Sequence, residues 1–378
     1  MRIGINALYL IPGRVGGTET YIRNLVKALD ELDDRNEYFI FINRESRGIF
    51  EEIAPRMRVV CSPFNASRRP VRILWEQFIL PLQIIRRRID VLFSAGMTAP
   101  FFTTARSVLA LHDLQHENYP DNFSRVQLFF LKTIIKFSAK RAAKILTLSN
   151  KAREDIIRYY HIAEERVSVV HLGTNSQSFY RRGEDEKEEI RKKYSLPKNF
   201  ILYLASSLPH KNYERLLLAF KAVLAEYPEL CLVLIGARDY GSPEITSKIT
   251  KLGLESNVIM LGWLPYEDIP IIYSASSLLV FPSLHEGFGL PIIEAMACGL
   301  PVVCSDIEPL IEIAGDAAEL VDPKSEEAIA EGIKNVLCKT GLRGRLIQKG
   351  LKRAQDFTWE KTAMKTLSLL YGEAPNGH

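Results

Sequence analysis

The sequence has no marked excess of charge: 49 Lys and Arg stand against 45 Asp and Glu, a formal net charge of +4 over 378 residues. A general nucleic-acid binder is therefore not expected. It also has no Cys-x-x-Cys pair. The five cysteines, Cys61, Cys231, Cys298, Cys304 and Cys338, are odd in number and lie mostly in apolar runs. Buried, reduced thiols of a cytoplasmic protein fit that pattern. No uninterrupted apolar run reaches the length of a membrane span, and the opening MRIGINALYL lacks the basic-then-apolar order of a signal peptide. A cytoplasmic location is expected. The first strand-like run does not lead into Gly-x-Gly-x-x-Gly, and no acid closes the second, which argues against an NAD-dependent oxidoreductase.

What is present is a regular alternation of short apolar runs with helical patterns, the signature of parallel α/β sheets. In the first half the strand-like runs are 2–7, 38–42, 58–61, 91–93, 108–111, 145–148 and 167–170. Between the first two, Ile22, Leu25, Val26 and Leu29 recur at helical spacing. A second set follows at 200–205, 231–235, 258–261, 278–281, 302–304 and 319–321, with a closing helical stretch at 359–370. The charge-dense stretch 176–198 interrupts the pattern and is expected to be the linker region. The chain is long enough for two full cores. Open α/β sheets bind ligands beyond the carboxyl ends of their strands, so two doubly wound domains facing each other across a cleft are expected.

The most informative stretch is His285-Glu286-Gly287-Phe288-Gly289-Leu290-Pro291-Ile292-Ile293-Glu294. An apolar strand precedes it, and Pro291 suits a first helical position. Leu290, at the expected N-cap, offers no side-chain oxygen, so the first-turn N–H groups are available to an anion. Gly287 and Gly289 allow close backbone approach. On a regular helix Glu286 and Glu294 stand about 80° and about 12 Å apart, too far for a shared acid/base role. Carboxylates so placed suit two ends of one ligand and accept from sugar or ribose hydroxyls.

Glu-x7-Glu within HEGFGLPIIEAMACGLPVV resembles the donor-site motif of retaining glycosyltransferases of family 4. The resemblance implies the GT-B fold, two Rossmann-like domains. The first spans residues 1–177, with a closing segment at about 357–372 crossing back to it, and the second, 178–356, binds the nucleotide sugar. It implies Glu294 on the ribose, Glu286 on the donor sugar, and N–H groups around Gly287, Phe288, Gly289 and Leu290 on the diphosphate. Gly16 and Gly17, two glycines at a helix start, match the loop that reaches over donor and acceptor. Ser207 and Lys211 lie in Ser206-Ser207-Leu208-Pro209-His210-Lys211-Asn212, which is similar to the family's lysine motif; the lysine is implied to place its cation on the leaving diphosphate. Many relatives carry arginine where this chain has Ser206, and His210 or Arg14 are the cations available to replace it. Gly236 and Leu264 match parts that hold the nucleoside, and Trp263 either stacks near the base or packs between helices.

His112-Asp113-Leu114-Gln115-His116 follows a strand. Its His-x3-His spacing lacks a third metal ligand, and a strand rather than a helix precedes it, so no metal site is expected. The resemblance implies that His112 contacts the transferred sugar, with Asp113 orienting its ring. Asp-x-Asp occurs nowhere in the chain, unlike the metal-dependent GT-A class, and the implied catalysis requires no metal or other cofactor. Trp75-Glu76-Gln77 and Lys211-Asn212 resemble a mannosyltransferase subgroup, which implies GDP-mannose as donor and a glycan or lipid-linked acceptor in surface polysaccharide or O-antigen assembly. A UDP-sugar-dependent glycosyltransferase is the alternative donor reading, an epimerase or hydrolase on this fold a second, and a non-catalytic partner subunit one of another class. Arg68, Arg69, Arg72, Arg86, Arg87 and Arg88 flank the apolar segment 73–85, and Lys132, Lys136, Lys140, Arg141 and Lys144 interleave with aromatics. Such helices either rest on the inner face of an anionic membrane or form core helices with solvated basic edges.

Overall fold

A computed structural model describes residues 1–13, 16–236 and 243–373. The chain forms two compact units. One comprises Met1–Gly173 and the segment that begins at Trp359; the other is Thr174–Thr358. All thirteen strands expected from the apolar runs are present within a residue or two of the expected positions.

In the first unit these are β1 (Arg2–Asn6), β2 (Glu37–Ile42), β3 (Arg58–Cys61), β4 (Val91–Ser94), β5 (Arg106–Ala110), β6 (Lys144–Thr147) and β7 (Val167–Val169). They pair in parallel in the order β3-β2-β1-β4-β5-β6-β7. The central strands read as unbroken apolar runs because helices cover both faces. The helix Gly17–Leu32 turns Ile22, Leu25, Val26 and Leu29 fully inward. The helix Trp359–Tyr371 packs against it, and Thr362 Oγ1 donates to the His171 carbonyl at 2.8 Å.

The second unit holds β8 (Phe200–Leu204), β9 (Cys231–Ile235), β10 (Val258–Leu261), β11 (Leu278–Phe281), β12 (Val302–Ser305) and β13 (Glu319–Val321). Their order is β10-β9-β8-β11-β12-β13, again all parallel. In each sheet the winding reverses once, between β1 and β4 and between β8 and β11. Adjacent strands there send their following loops to opposite faces, opening a crevice at their carboxyl ends.

The expected linker at 176–198 is corrected. It contains the helix Glu184–Tyr194, which packs on the helix Ile269–Ala275 and buries Ile190. Arg182 and Glu186 pair at its start, and the chain passes from one unit to the other at residues 173–174 instead. Segment 69–87 is also more specific than expected. It runs as helix Arg69–Leu74, a π-helical turn Trp75–Ile79 and helix Leu80–Arg87.

Candidate active site

The crevice between β8 and β11 brings two expected residues together. After β8 the chain makes a short 3₁₀ turn, Pro209–Lys211, and Asn212 follows in left-handed conformation at φ 63°. Asparagine tolerates that region better than most residues. Its side-chain amide donates to the Pro282 carbonyl at 2.9 Å and the Pro323 carbonyl at 2.7 Å. The Leu284 N–H donates to the His210 carbonyl at 2.8 Å, and the Tyr203 hydroxyl donates to the Lys211 carbonyl. The loops beyond β8 and β11 are thereby stitched into one surface. On it, Lys211 Nζ lies 2.5 Å from Glu286 Oε1, with both side chains largely shielded from solvent. The Phe281 ring lies 5.7 Å from the same ammonium.

Beyond Glu286 the chain enters the helix Leu290–Ala297. The expected N-cap is corrected by one residue: Gly289 occupies it at φ 111°, and Leu290 is already helical. The torsion favours glycine, and a Cβ at residue 289 would stand 2.8 Å from Leu310 Cδ2, so the Leu310 side chain would have to move. No side chain caps this helix, and its positive end faces the loop that carries Glu286. Phe288 is buried with its ring edge-on to Phe357, so the ring packs in the protein rather than facing a ligand.

Glu294 is buried and accepts from the Tyr273 hydroxyl at 3.2 Å. Burial pushes its carboxyl up from 4.5 to about 8, against the opposing effect of that hydrogen bond. Glu286 and Glu294 thus occupy unlike surroundings, one paired with a cation and one held in an apolar wall. Gly236 follows β9 directly, and its N–H approaches the Gly262 carbonyl. Leu264 packs on the second core, and Ser207 is half-buried. Trp263 is 52 % exposed, which excludes packing between helices. His210 is buried edge-on to His285. Arg14 lies outside the described residues.

In the first unit, Gly16 caps the helix Gly17–Leu32 at φ 55°, and both glycines are exposed. Gly13 N–H donates to Glu19 Oε2 at 2.7 Å, and Glu19 pairs with Arg23 at 2.8 Å. His112 sits just beyond β5, buried, with Tyr21 edge-on at 4.8 Å. Burial lowers its imidazole from 6.5 to about 4, with Asp113 opposing, so the ring is neutral at pH 7. Asp113 Oδ1 accepts from the Gln115 N–H at 3.1 Å, as in a turn cap. His116 instead shares a 2.8 Å hydrogen bond with the Tyr160 hydroxyl. Among the described residues no three His, Cys, Asp or Glu side chains converge as a metal cluster.

Comparison with known proteins decides what this geometry belongs to. Residues 15–178 match Glycosyltransferase Family 4, and residues 186–353 match Glycosyl transferases group 1. O-antigen chain mannosyltransferase B of Escherichia coli is 32% identical over 268 residues, which cover 70% of this chain and 69% of that protein. The chain belongs to glycosyltransferase family 4. O-antigen chain mannosyltransferase RfbU of Salmonella typhimurium is 30% identical over 228 residues, 60% of each chain. Sucrose-phosphate synthase from Thermosynechococcus elongatus shares the GT-B fold with this glycosyltransferase at TM-score 0.80 and 21% identity, over 98% of both chains.

Some polar groups at the two switch points carry little sequence signal for the contacts they make, although Glu76 and Asn212 lie in the Trp75-Glu76-Gln77 and Lys211-Asn212 segments singled out above. Asn212 fixes this glycosyltransferase's lysine loop. Tyr273 lies 21 residues from the Glu294 it contacts. In the first sheet, buried Glu76 on the π-helical turn accepts from Asn6 Nδ2 at 2.7 Å and Thr98 Oγ1 at 2.9 Å. It ties the ends of β1 and β4 to that turn. π-helical turns often mark functional positions.

Proposed function

We propose that this glycosyltransferase is a retaining, metal-independent mannosyltransferase that moves mannose from GDP-mannose to a glycan or lipid-linked acceptor in O-antigen or related surface polysaccharide synthesis. The observation that carries the reading is the Lys211–Glu286 pair at the β8/β11 switch point, beside the uncapped start of the helix Leu290–Ala297. The names of its relatives, O-antigen mannosyltransferases at 30–32% identity, support the choice of sugar.

In this reading the second unit takes the nucleotide sugar and the first takes the acceptor. Lys211 shifts from Glu286 onto the diphosphate, and the first N–H groups of the helix join it. Together they stabilise the charge that develops as the sugar–phosphate bond breaks. Glu286, released, accepts from hydroxyls of the donor sugar, and Glu294 accepts from the ribose. Gly16 and Gly17 bring backbone N–H groups near the diphosphate, while Ser207, Gly236, Leu264, Gly287, Phe288, Gly289 and Leu290 complete the donor surface. His112, neutral, contacts the sugar. The acceptor hydroxyl attacks from the face the diphosphate leaves, and a donor phosphate oxygen receives its proton. No enzymic nucleophile takes part, and Lys211 with the helix start supplies the positive potential.

A panel of GDP- and UDP-sugars, assayed for transfer and for thermal stabilisation, tests this. Selective stabilisation and turnover with GDP-mannose support it. Preference for a UDP-sugar overturns the donor, release of free sugar or epimer without acceptor overturns the reaction, and no response to any donor points to a non-catalytic partner subunit.

We also propose a peripheral contact of the first unit with the inner face of an anionic membrane. No described helix is long and apolar enough to cross a membrane. Leu74, Phe78, Leu82 and Ile85 nevertheless recur on one helical face with more than half their surface exposed, and Val126, Phe129, Phe130 and Phe137 do the same on the helix Arg125–Arg141. Arg86, Arg87, Lys136 and Lys140 accompany them. Apolar side chains edged with basic residues match an acyl–headgroup boundary. Flotation with anionic liposomes at low salt tests it, and no binding removes it.

A further inference from the structure

We propose that Tyr9 and Tyr21 join His112 in a hydroxyl-reading site for the transferred sugar, at the switch point of the first sheet. This rests on the assignment of His112 to that sugar and adds two residues to it.

Tyr9 Oη, Tyr21 Oη and His112 Nε2 are all buried, and none has a hydrogen-bond partner among the described residues. A buried polar group without a partner is costly, and native proteins retain few without a functional reason. Here three are grouped. The Tyr21 and His112 rings meet at 4.8 Å and 84°, an edge contact that fixes the imidazole plane. Burial, first of all, holds both phenols neutral, and Tyr9 lies near enough to Tyr21 to oppose its ionisation further.

The backbone is shaped to admit this group. A Cβ at Gly96 would stand 2.1 Å from the Tyr9 ring, so only glycine allows Tyr9 to lie there. Met97 follows in left-handed conformation at φ 66°, and Thr98 is then held by Glu76. Backbone strain of this kind persists only where surrounding structure enforces it. The contributing loops follow β1, β4 and β5, neighbours around the reversal in strand order.

The chemistry selects the ligand class. Two phenols and a neutral imidazole are directional donors and acceptors without net charge, which suits sugar hydroxyls better than phosphate. The charged groups that face Tyr9, Glu19 and Arg72, are opposite in sign. Glu19 is already engaged by Arg23 and the Gly13 N–H.

Tyr9→Phe, Tyr21→Phe and Tyr21→Leu, compared with the native chain, test the proposal by thermal unfolding and by transfer kinetics with the panel of GDP- and UDP-sugars. The Phe variants are expected to unfold no lower than the native protein, because no internal hydrogen bond is lost. Their kcat/KM is expected to fall about tenfold for each hydroxyl removed, the effect of one lost hydrogen bond to ligand. Tyr21→Leu, which also frees the His112 ring, falls further in kcat. Phe variants with native kcat/KM, or with unfolding lowered by several degrees, overturn the proposal while leaving the transferase reading in place. A native chain that transfers no sugar from any donor overturns both.

Discussion

Lys211 and Glu286 are 75 residues apart in sequence, yet Nζ and Oε1 meet at 2.5 Å where the sheet of the second unit reverses its winding. Each comes from the loop beyond one of the two diverging strands, so the ion pair marks the crevice at which open α/β sheets take ligands. The pairing also settles the cost of losing either partner. A lone, largely shielded charge is left behind, which is worse than losing both.

Glu286→Gln is expected to abolish transfer while the fold persists. Stability is expected to fall by about 1–3 kcal/mol, from the ammonium left with a neutral partner. Lys211→Ala lowers kcat by about 10²–10³, the usual cost of one group that stabilises developing charge. Steady-state kinetics with circular dichroism check both, and near-native turnover of Glu286→Gln contradicts its assignment.

Asn212→Ala removes two hydrogen bonds to loop carbonyls and places alanine at φ 63°. A loss of about 1–3 kcal/mol is expected in denaturant unfolding. Because Lys211 is positioned by the same loop, kcat falls as well. Asn212→Gly keeps the backbone torsion and separates the two effects: the hydrogen-bond loss remains and the strain does not.

Gly289→Ala combines an unfavourable torsion with a contact of 2.8 Å to Leu310. A loss of about 1–3 kcal/mol is expected, together with weaker donor binding, because the first turn of the helix must shift. Leu310→Ala in the same chain relieves the contact but not the torsion, and partial recovery of donor affinity checks that division.

Glu294 gives a pH dependence of known sign. Its carboxyl lies at about 8 in the native chain against 4.5 ordinarily, so between those values the folded state binds more protons than the unfolded one. The contribution is complete below pH 4.5 and lost as pH rises through about 8. His112 acts in the opposite direction: lowered to about 4 from 6.5, it contributes above pH 6.5 and loses that contribution as pH falls through about 4. Unfolding midpoints from pH 4 to 9 are expected to fall less steeply on the alkaline side in Glu294→Gln than in the native protein. Identical slopes contradict the buried, protonated state of Glu294.

The strands were legible because parallel strands covered on both faces are short, wholly apolar runs, and β11 and its following glycines announced the site. The helix Glu184–Tyr194 was not, since Ile190 is its one buried residue, Tyr194 packs on the core only in part, and every other residue of it is charged. The start of the helix at Leu290 was misplaced by one residue because Gly289 supplies the cap through its torsion, which composition does not reveal. The partnership of Lys211 with Glu286, the burial of Glu294 beneath Tyr273, and the meeting of Tyr21 with His112 depend on packing between distant segments. The Glu-x7-Glu spacing identified the two acids without showing that one is paired and the other buried.

The most direct test of the account is the thermal unfolding midpoint of the native chain titrated with GDP-mannose, beside GDP-glucose, UDP-glucose and UDP-N-acetylglucosamine. A ligand that binds only the folded state raises the midpoint in step with its concentration. The account predicts a saturable rise, largest with GDP-mannose and much reduced in Lys211→Ala. A midpoint unmoved by every nucleotide sugar, or moved equally in Lys211→Ala, contradicts it.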